Sequence, residues 1–254
     1  MSRALLAGVD VGTTSVKVLL MTHDGTELAL GRAPTPWQQR DDRAATTAES
    51  LTSATRAALA DALAQCPDDR VLAIGVASMA ESGVLTDDRD EPVAPVIAWH
   101  DRRDEAELEV LTADFGAEFS ARTGLPLWTQ WSLTKHRWLR AHHEPTARAT
   151  RRYNIAEWIV RGLGGDRVTE LSLAARTGWL DLHTLRPWAA TLDWAGARPS
   201  VFAELTTAGA PMGTATTSGE LSAIDGAALT VAGHDHQVAA VGLGCHRPGD
   251  EFDS

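Results

Sequence analysis

The chain has 254 residues, a formal net charge of −11 and 44% hydrophobic residues. This composition excludes a disordered chain, and the acidic balance argues against nucleic acid as a partner, because phosphate binding needs clustered lysine and arginine. No apolar run reaches about 18 residues and no basic-then-apolar leader precedes the first strand, so neither a membrane span nor a signal peptide is expected. Two cysteines, Cys66 and Cys245, fit free thiols in the cytoplasm better than a disulfide scaffold.

The chain opens with a pattern of three short strands. An apolar strand covers residues 5–10, a turn follows at 12–14, and a second strand alternates over 15–20. A second turn at 23–25 leads to a third strand around 27–30. Strands joined by turns this short are antiparallel, so the sheet is expected to begin with three antiparallel strands.

The first turn carries candidate ligands for phosphate and metal. Asp10 is a candidate Mg2+ ligand, because Mg2+ favours carboxylate oxygens and retains much of its water. Gly12, Thr13 and Thr14 can hold a phosphate through backbone N–H groups and hydroxyls, and Lys17 adds a positive charge. The turn is not a Walker loop, since it lacks that glycine and lysine pattern and a strand follows it. An ordinary hairpin is the alternative for this segment.

Predicted helices and strands then alternate. A capping-box pattern at residues 46–49 starts a helix that ends before Pro67, and a buried strand covers 71–78. Further helices are expected at 102–111, 131–141 and 154–163, and a loop-rich region at 179–211. This alternation predicts an α/β protein with a mixed sheet.

Asp235 is the candidate catalytic residue. An apolar strand over residues 227–231 meets Gly233, and a helix follows. The helix N-terminus favours an ionised carboxylate, which suits a general base that activates a hydroxyl. A plain helix N-cap is the alternative. The neighbours His234 and His236 are potential metal ligands, but no further histidine or cysteine cluster completes a tetrahedral zinc site.

Taken together, these segments resemble the FGGY family of carbohydrate kinases, which belongs to the actin-like ATPase superfamily. Residues 10–15 are similar to the family's first phosphate motif, and the G-x-D pattern of residues 233–242 to the motif around its catalytic aspartate. The W-x-D-x-R of residues 99–103 continues the resemblance. Other segments follow in the family's order at residues 123–126, 135–139 and 169–178.

The resemblance implies a ribonuclease-H-like mixed sheet with helices on both faces and a helical insert near residues 100–200. It implies ATP-dependent phosphorylation of a sugar or polyol hydroxyl, with Asp235 as base and with ATP and Mg2+ as cofactors. Residues 1–254 would form the N-terminal sugar-binding domain. Asp253 and Ser254 resemble the start of a second phosphate turn, so a C-terminal nucleotide-binding domain is expected outside this chain, and the fragment alone is expected to be inactive.

The resemblance also suggests substrate contacts at Glu81, Trp99, Asp101, Arg103 and Gln237. A carboxylate accepts hydroxyls, and a tryptophan face can stack on a sugar. A structural Asp101–Arg103 pair is an equal alternative, and a surface or capping amide is the alternative for Gln237. The sequence Met-Ala-Glu-Ser around Glu81 matches neither typical xylulose kinases nor typical glycerol kinases, so the sugar is not identified.

A second hypothesis is a non-catalytic sugar-binding or assembly module of the actin-like superfamily, since half a cleft can bind but hardly catalyse. The expected partners are a sugar or polyol, ATP and the chain's own C-terminal domain, with neither nucleic acid nor membrane. Homo-oligomerisation is left open.

Overall fold

The computed structural model describes residues 2–245 and 247–251. Its α-helices are α1 (Ala48–Ala64), α2 (Glu105–Asp114), α3 (Gly116–Thr123), α4 (Ser132–His142), α5 (Ile155–Gly162), α6 (Leu171–Ala174), α7 (Ala189–Ala195) and α8 (Asp235–Gly242). Its strands are β1 (Ala4–Val11), β2 (Ser15–Met21), β3 (Glu27–Pro34), β4 (Gln38–Arg40), β5 (Arg43–Thr46), β6 (Arg70–Ser78), β7 (Gly83–Thr86), β8 (Val96–Ile97), β9 (Arg151–Asn154), β10 (Thr169–Glu170), β11 (Leu180–Asp181), β12 (Arg186–Pro187), β13 (Leu205–Thr206) and β14 (Ala228–His234). Short 3-10 helices cover Glu144–Arg148, Pro199–Val201 and Gly219–Ile224.

A mixed sheet forms the centre of the described chain, with the strand order β14–β6–β1–β2–β3. The first three strands are antiparallel neighbours, while β6 runs parallel to both β1 and β14. Alternate residues of β1, including Leu5, Val9 and Val11, are buried on one face, as the period of two requires. The prediction of an α/β fold whose mixed sheet begins with three antiparallel strands is confirmed.

The two long crossover helices, α1 and α5, lie on the same face of this sheet. The indole Nε1 of Trp158 in α5 donates to the carbonyl oxygen of Ala48 in α1 at 3.3 Å, and both helices contribute to one core cluster. Both crossovers move across the sheet in the same direction, and right-handed connections then place their helices on one side. The opposite face exposes Leu6 and Leu30. Helices were predicted on both faces of the sheet, but the two long crossover helices both lie on one face, so the helices are distributed unequally.

The region near residues 100–200 that was predicted to be a helical insert contains α2 to α7, of which α5 packs on the central sheet and α2, α3, α4 and α7 pack together away from it. The core of these four helices is a separate aromatic cluster that includes Phe119, Trp131, Trp179 and Trp188. Helix α7 lies inside the region that the sequence predicted to be loop-rich, so that expectation was wrong for these residues. The helix buries Leu192 in the aromatic cluster, and this tertiary packing outweighs its weak local signals.

The start of α1 differs from the capping-box prediction by one residue. Thr47 is the N-cap, and its Oγ1 accepts from the backbone N–H of Ser50 at 3.1 Å. Thr46 instead ends β5 and pairs with Val96 of β8. A neighbouring strand therefore decides which of two adjacent threonines caps the helix.

Three further expectations concern the chain as a whole. Among the described helices, none combines the length and apolar character needed to cross a bilayer. Cys66 and Cys245 are free thiols, as predicted. Asp253 and Ser254, which resemble a second phosphate turn, lie outside the described residues.

Candidate active site

A polar pocket lies at the carboxyl edge of the central sheet. The parallel strands β1, β6 and β14 end side by side at this edge, where ligands of open α/β sheets commonly bind. The pocket has a volume of about 200 Å³. It is lined by Thr13, Met79, Ala80, Glu81, Trp99, Gln130, Arg176, His234, Asp235 and His236.

Asp235 is the first residue of α8 and follows the last residue of β14. Its Oδ1 accepts from the backbone N–H of His236 at 2.8 Å and lies 3.1 Å from Nε2 of His234. Burial raises the pKa of Asp235 and the negative charge of Asp10 adds to that rise, while the His236 N–H opposes it. Such a shift brings a carboxylate closer to the pKa that suits a general base near neutral pH.

The two histidines beside Asp235 are stacked on each other. Their ring centroids are 5.0 Å apart and their planes are nearly parallel, at 5°. Possible ligand atoms of His234, Asp235 and His236 lie within 4.8 Å of one another. The lone pairs of an imidazole lie in its ring plane, so two stacked, parallel rings do not converge on one ion. The observed arrangement suits contact with the carboxylate better than chelation.

Glu81 lies just beyond β6 and is almost fully buried, at 4% exposure. Its Oε1 accepts from Nε of Arg176 at 2.7 Å and from Gln130 at 3.4 Å. Its backbone has a φ of 61°, which is rare for a residue other than glycine. Ser132 and Arg152 hold this conformation by donating to the Glu81 carbonyl oxygen at 2.6 and 2.9 Å. Burial raises the pKa of the Glu81 carboxyl, and Arg176 opposes that rise.

Trp99 is connected to the first turn. Its Nε1 donates to Oγ1 of Thr13 at 2.9 Å, and Nε1 of Trp37 donates to the Thr13 carbonyl oxygen at 2.8 Å. Thr35 donates to the Gly12 carbonyl oxygen at 2.7 Å. These bonds fix the turn against the pocket wall. The side chain of Thr14 is exposed on the same turn.

Asp10, the candidate magnesium ligand, is only partly paired by the residues around it. Its Oδ2 lies 3.6 Å from Nζ of Lys17, whereas its buried Oδ1 has no hydrogen-bond partner among the described residues. Burial raises the pKa of Asp10, and Lys17 opposes the rise. A buried carboxylate oxygen without a donor calls for an explanation, and a hard cation with its water shell supplies one. The donor set therefore fits Mg2+.

Asp101 and Arg103 are not among the residues that line the pocket. Asp101 is fully buried, and its two oxygens accept from the Ala44 N–H and from three nitrogens of Arg103 at 2.6–2.9 Å. The Arg103 guanidinium lies 5.1 Å from the centroid of the Trp138 ring. This geometry favours the structural alternative, in which the pair holds the loop that carries Trp99.

Gln237 is likewise separated from the main pocket. It lines a second hollow of about 380 Å³ together with Leu171, Leu182 and Leu185. Its side chain points away from that of Asp235, because α-helical residues two positions apart diverge by about 200° around the helix axis.

Arg176 is a pocket residue to which the sequence assigned no role. It follows α6 within a segment that was matched only for its order in the chain. Its partner Glu81 lies 95 residues earlier. The available signal was a charged side chain in a segment that follows the family's order along the chain. That signal does not distinguish a pocket residue from a surface residue.

The strand order and the pocket at the carboxyl edge define an α/β protein with the actin-like ATPase fold, as the solved neighbours confirm. The family model for the FGGY family of carbohydrate kinases, N-terminal domain, matches residues 5–242. The chain belongs to this family.

Two curated relatives illustrate the similarity. The chain is 31% identical to a glycerol kinase of Janthinobacterium sp. (strain Marseille), over 98% of the chain and 51% of that protein. It is 32% identical to a xylulose kinase of Streptomyces rubiginosus, over 96% of the chain and 51% of that protein. The chain thus spans about half the length of these relatives.

Solved structures agree with this assignment. A xylulose kinase from Rhodospirillum rubrum superposes with a TM-score of 0.88 at 27% identity, covering 96% of this chain and 52% of that one. Plasmodium falciparum glycerol kinase with ADP superposes with a TM-score of 0.90 at 18% identity, covering 98% and 52%. At this lower identity the likeness concerns the fold alone.

Proposed function

We propose that this chain is the substrate-binding half of a kinase that transfers the γ-phosphoryl group of ATP to a hydroxyl of a sugar or polyol. The observation that carries the proposal is that Glu81 and Asp235 line the same small polar pocket, with Asp10 at the same edge of the sheet. Membership of a carbohydrate kinase family supports it. We place the whole described chain in one N-terminal domain.

Asp235 is the proposed base. Its Oδ1 is held by the His236 N–H, and no hydrogen bond from the described residues reaches its Oδ2. That oxygen takes the proton of the acceptor hydroxyl as the new O–P bond forms, while the bond between the γ-phosphorus and the leaving oxygen of ADP breaks. Catalysis of this kind relies mainly on positioning and charge stabilisation.

The first turn is proposed to face the transferred phosphate. Gly12, Thr13 and Thr14 offer backbone N–H groups and hydroxyls, and Lys17 offers a positive charge. Asp10 would hold Mg2+ through its unpaired oxygen. When bound, the ion would offset the negative charge of the phosphates.

The opposite end of the pocket is proposed to bind the remaining hydroxyls. Glu81 accepts hydroxyl protons, Arg176 and Gln130 donate, and Trp99 forms part of the wall. In the geometry observed, Asp101 and Arg103 act by supporting Trp99. Gln237 faces the second hollow, where direct contact with a small substrate is not expected.

ATP binding is proposed to depend on a second, nucleotide-binding half such as the relatives' additional length provides. The chain alone is then expected to bind the acceptor without turnover. The free thiols support a reducing compartment such as the cytoplasm.

The proposal is tested in two steps. Titration calorimetry of this chain with three- to six-carbon polyols and sugars should detect at least one ligand. ADP release should then rise above background when the same compound is added to a kinase that joins this chain to a nucleotide-binding half. Failure of every compound in both assays contradicts the proposal. Binding without turnover in the joined protein favours the non-catalytic sugar-binding module.

A further inference from the structure

The Glu81–Arg176 pair leaves hydrogen-bonding groups open on both partners. The bond between them joins Oε1 of Glu81 to Nε of Arg176 at 2.7 Å. Within the described part of the chain, no hydrogen bond reaches Oε2 of Glu81 or the two terminal nitrogens of Arg176. Both residues line the pocket. The pair therefore presents a carboxylate acceptor beside guanidinium donors.

Arg176 is held in place by contacts outside the pocket. Its guanidinium lies 4.8 Å from the centroid of the Trp131 ring, and Trp131 is 1% exposed. The Trp131 indole is itself fixed, because its Nε1 donates to the Pro126 carbonyl oxygen at 2.6 Å. A guanidinium that is stacked and bonded through Nε loses little further freedom when it binds a ligand.

An adjacent acceptor and donor fit two neighbouring hydroxyl groups. One hydroxyl donates its hydrogen to Oε2 of Glu81, and the oxygen of the next hydroxyl accepts from a terminal N–H of Arg176. A substrate carboxylate fits less well, because it would place a second negative charge beside Glu81 in a pocket that also contains Asp235. Neutral hydroxyls avoid that repulsion.

We infer that Glu81 and Arg176 together bind a vicinal diol at the end of the substrate away from the phosphorylated hydroxyl, so that Arg176 is a specificity-determining residue. The inference rests on the proposed function, and it narrows the substrate class to neutral compounds with two adjacent hydroxyls at that end.

The test combines ligands that each lack one hydroxyl group with a protein variant that lacks the Arg176 guanidinium. The probe is the tightest binder among glycerol, erythritol, xylitol and glucitol, with its derivatives that each lack one hydroxyl. Affinities are measured by titration calorimetry on this chain. With the unsubstituted chain, loss of either hydroxyl of the diol should weaken binding at least about tenfold, since each loss leaves a charged side chain of the pair without the partner that the complete ligand supplies.

Arg176→Met should weaken binding of the complete polyol at least about tenfold. Removal of the hydroxyl that faces Arg176 should then cost no further affinity. Arg176→Lys should restore binding only in part, because an ammonium lacks the planar fork. A structural role for Arg176 would instead lower the affinity for every ligand by the same factor, and that result overturns the inference.

A matched control is available in Arg137. Its guanidinium lies 4.3 Å from the Trp194 ring and it donates to the Trp194 carbonyl oxygen at 2.8 Å, but it does not line the pocket. Arg137→Met should leave ligand discrimination unchanged, and a loss equal to that of Arg176→Met contradicts the assignment.

Tighter binding of gluconate than of glucitol would also contradict it. If no polyol binds at all, the proposed function fails as well, whereas polyol binding without any hydroxyl preference overturns the inference alone.

Discussion

Two carboxylate–arginine pairs, Asp101–Arg103 and Glu81–Arg176, differ in how much hydrogen-bonding capacity they leave open. Asp101 uses both oxygens for the Arg103 side chain and for backbone N–H groups. Glu81 bonds Arg176 through one oxygen and leaves the other open to the pocket. Both carboxylates are candidates on sequence grounds, but a saturated pair can only support structure. Binding requires polar groups that the protein has positioned and left unpaired.

Asp235 belongs with Glu81 in this comparison, because one of its oxygens is also open. Asp235→Asn should lower the turnover of the complete kinase by about 10²–10⁴-fold, which is the usual contribution of a general base. Polyol affinity of this chain should stay within about threefold, since an amide still accepts hydrogen bonds. Steady-state ADP release and calorimetry check the two parts, and retained turnover removes Asp235 from the base role.

Asp101→Ala should reduce stability rather than binding. Loss of the carboxylate leaves Arg103, whose side chain is 10% exposed, without its partner, and breaking a buried pair in this way typically costs roughly 3–5 kcal/mol. Urea unfolding followed by tryptophan fluorescence measures the free energy of unfolding. A loss below about 1 kcal/mol together with weaker polyol binding would reverse the assignment of the two pairs.

Glu81→Gln should show the opposite pattern. Polyol affinity should fall at least about tenfold, because an amide offers one acceptor oxygen where the carboxylate offers two. The amide keeps the volume of the side chain, so the unfolding free energy should change less than it does in Asp101→Ala. Glu118→Gln is a suitable control, since Glu118 pairs with Arg122 on the exposed face of α3 and does not line the pocket.

The two pairs should also respond to pH with opposite signs. Burial alone would raise the pKa of Asp101, but the bonds from Arg103 and the Ala44 N–H outweigh it and hold this pKa below its usual value. Its stabilising contribution is therefore present above the ordinary aspartate pKa and is lost as the pH falls through the lowered value.

Glu81 has a raised pKa, caused mainly by burial. Its folded form therefore takes up a proton more readily than the unfolded chain, so its contribution to stability is fully present below the ordinary glutamate pKa and is lost as the pH rises through the raised value. Polyol binding needs the ionised form and should weaken as the pH falls through that raised value. Calorimetry across a pH series tests this, and Glu81→Gln should abolish the Glu81-dependent part of the trend.

Gln237→Ala should have the smallest effect. Its side chain lines the second hollow, so polyol affinity should change by less than about twofold, which is under roughly 0.5 kcal/mol. Gln130→Ala, at the pocket, should have a larger effect through its contact with Glu81. If Gln237→Ala weakens binding more than Gln130→Ala does, the observed separation of the two hollows does not describe the bound state.

Local sequence patterns predicted the fold well where they describe one element at a time. The alternation along residues 5–20, the short turns and the apolar spacing of α1 each depend on near neighbours, and all are found. Helix α7 was missed, because its buried face is specified by the distant aromatic cluster. The choice of Thr47 over Thr46 as N-cap depends in the same way on pairing between β5 and β8.

The sequence by itself determined the family and the strand order of the first hairpins, and it singled out Asp10, Glu81 and Asp235 as candidate site residues, because these depend on short motifs and local periodicity. Only the tertiary structure decided which polar groups remain open. Arg176 reaches Glu81 across 95 residues of chain, and the Ala44 N–H saturates Asp101 across 57. Unpaired hydrogen-bonding capacity is set by all neighbours in space, so it appears only when the chain is folded.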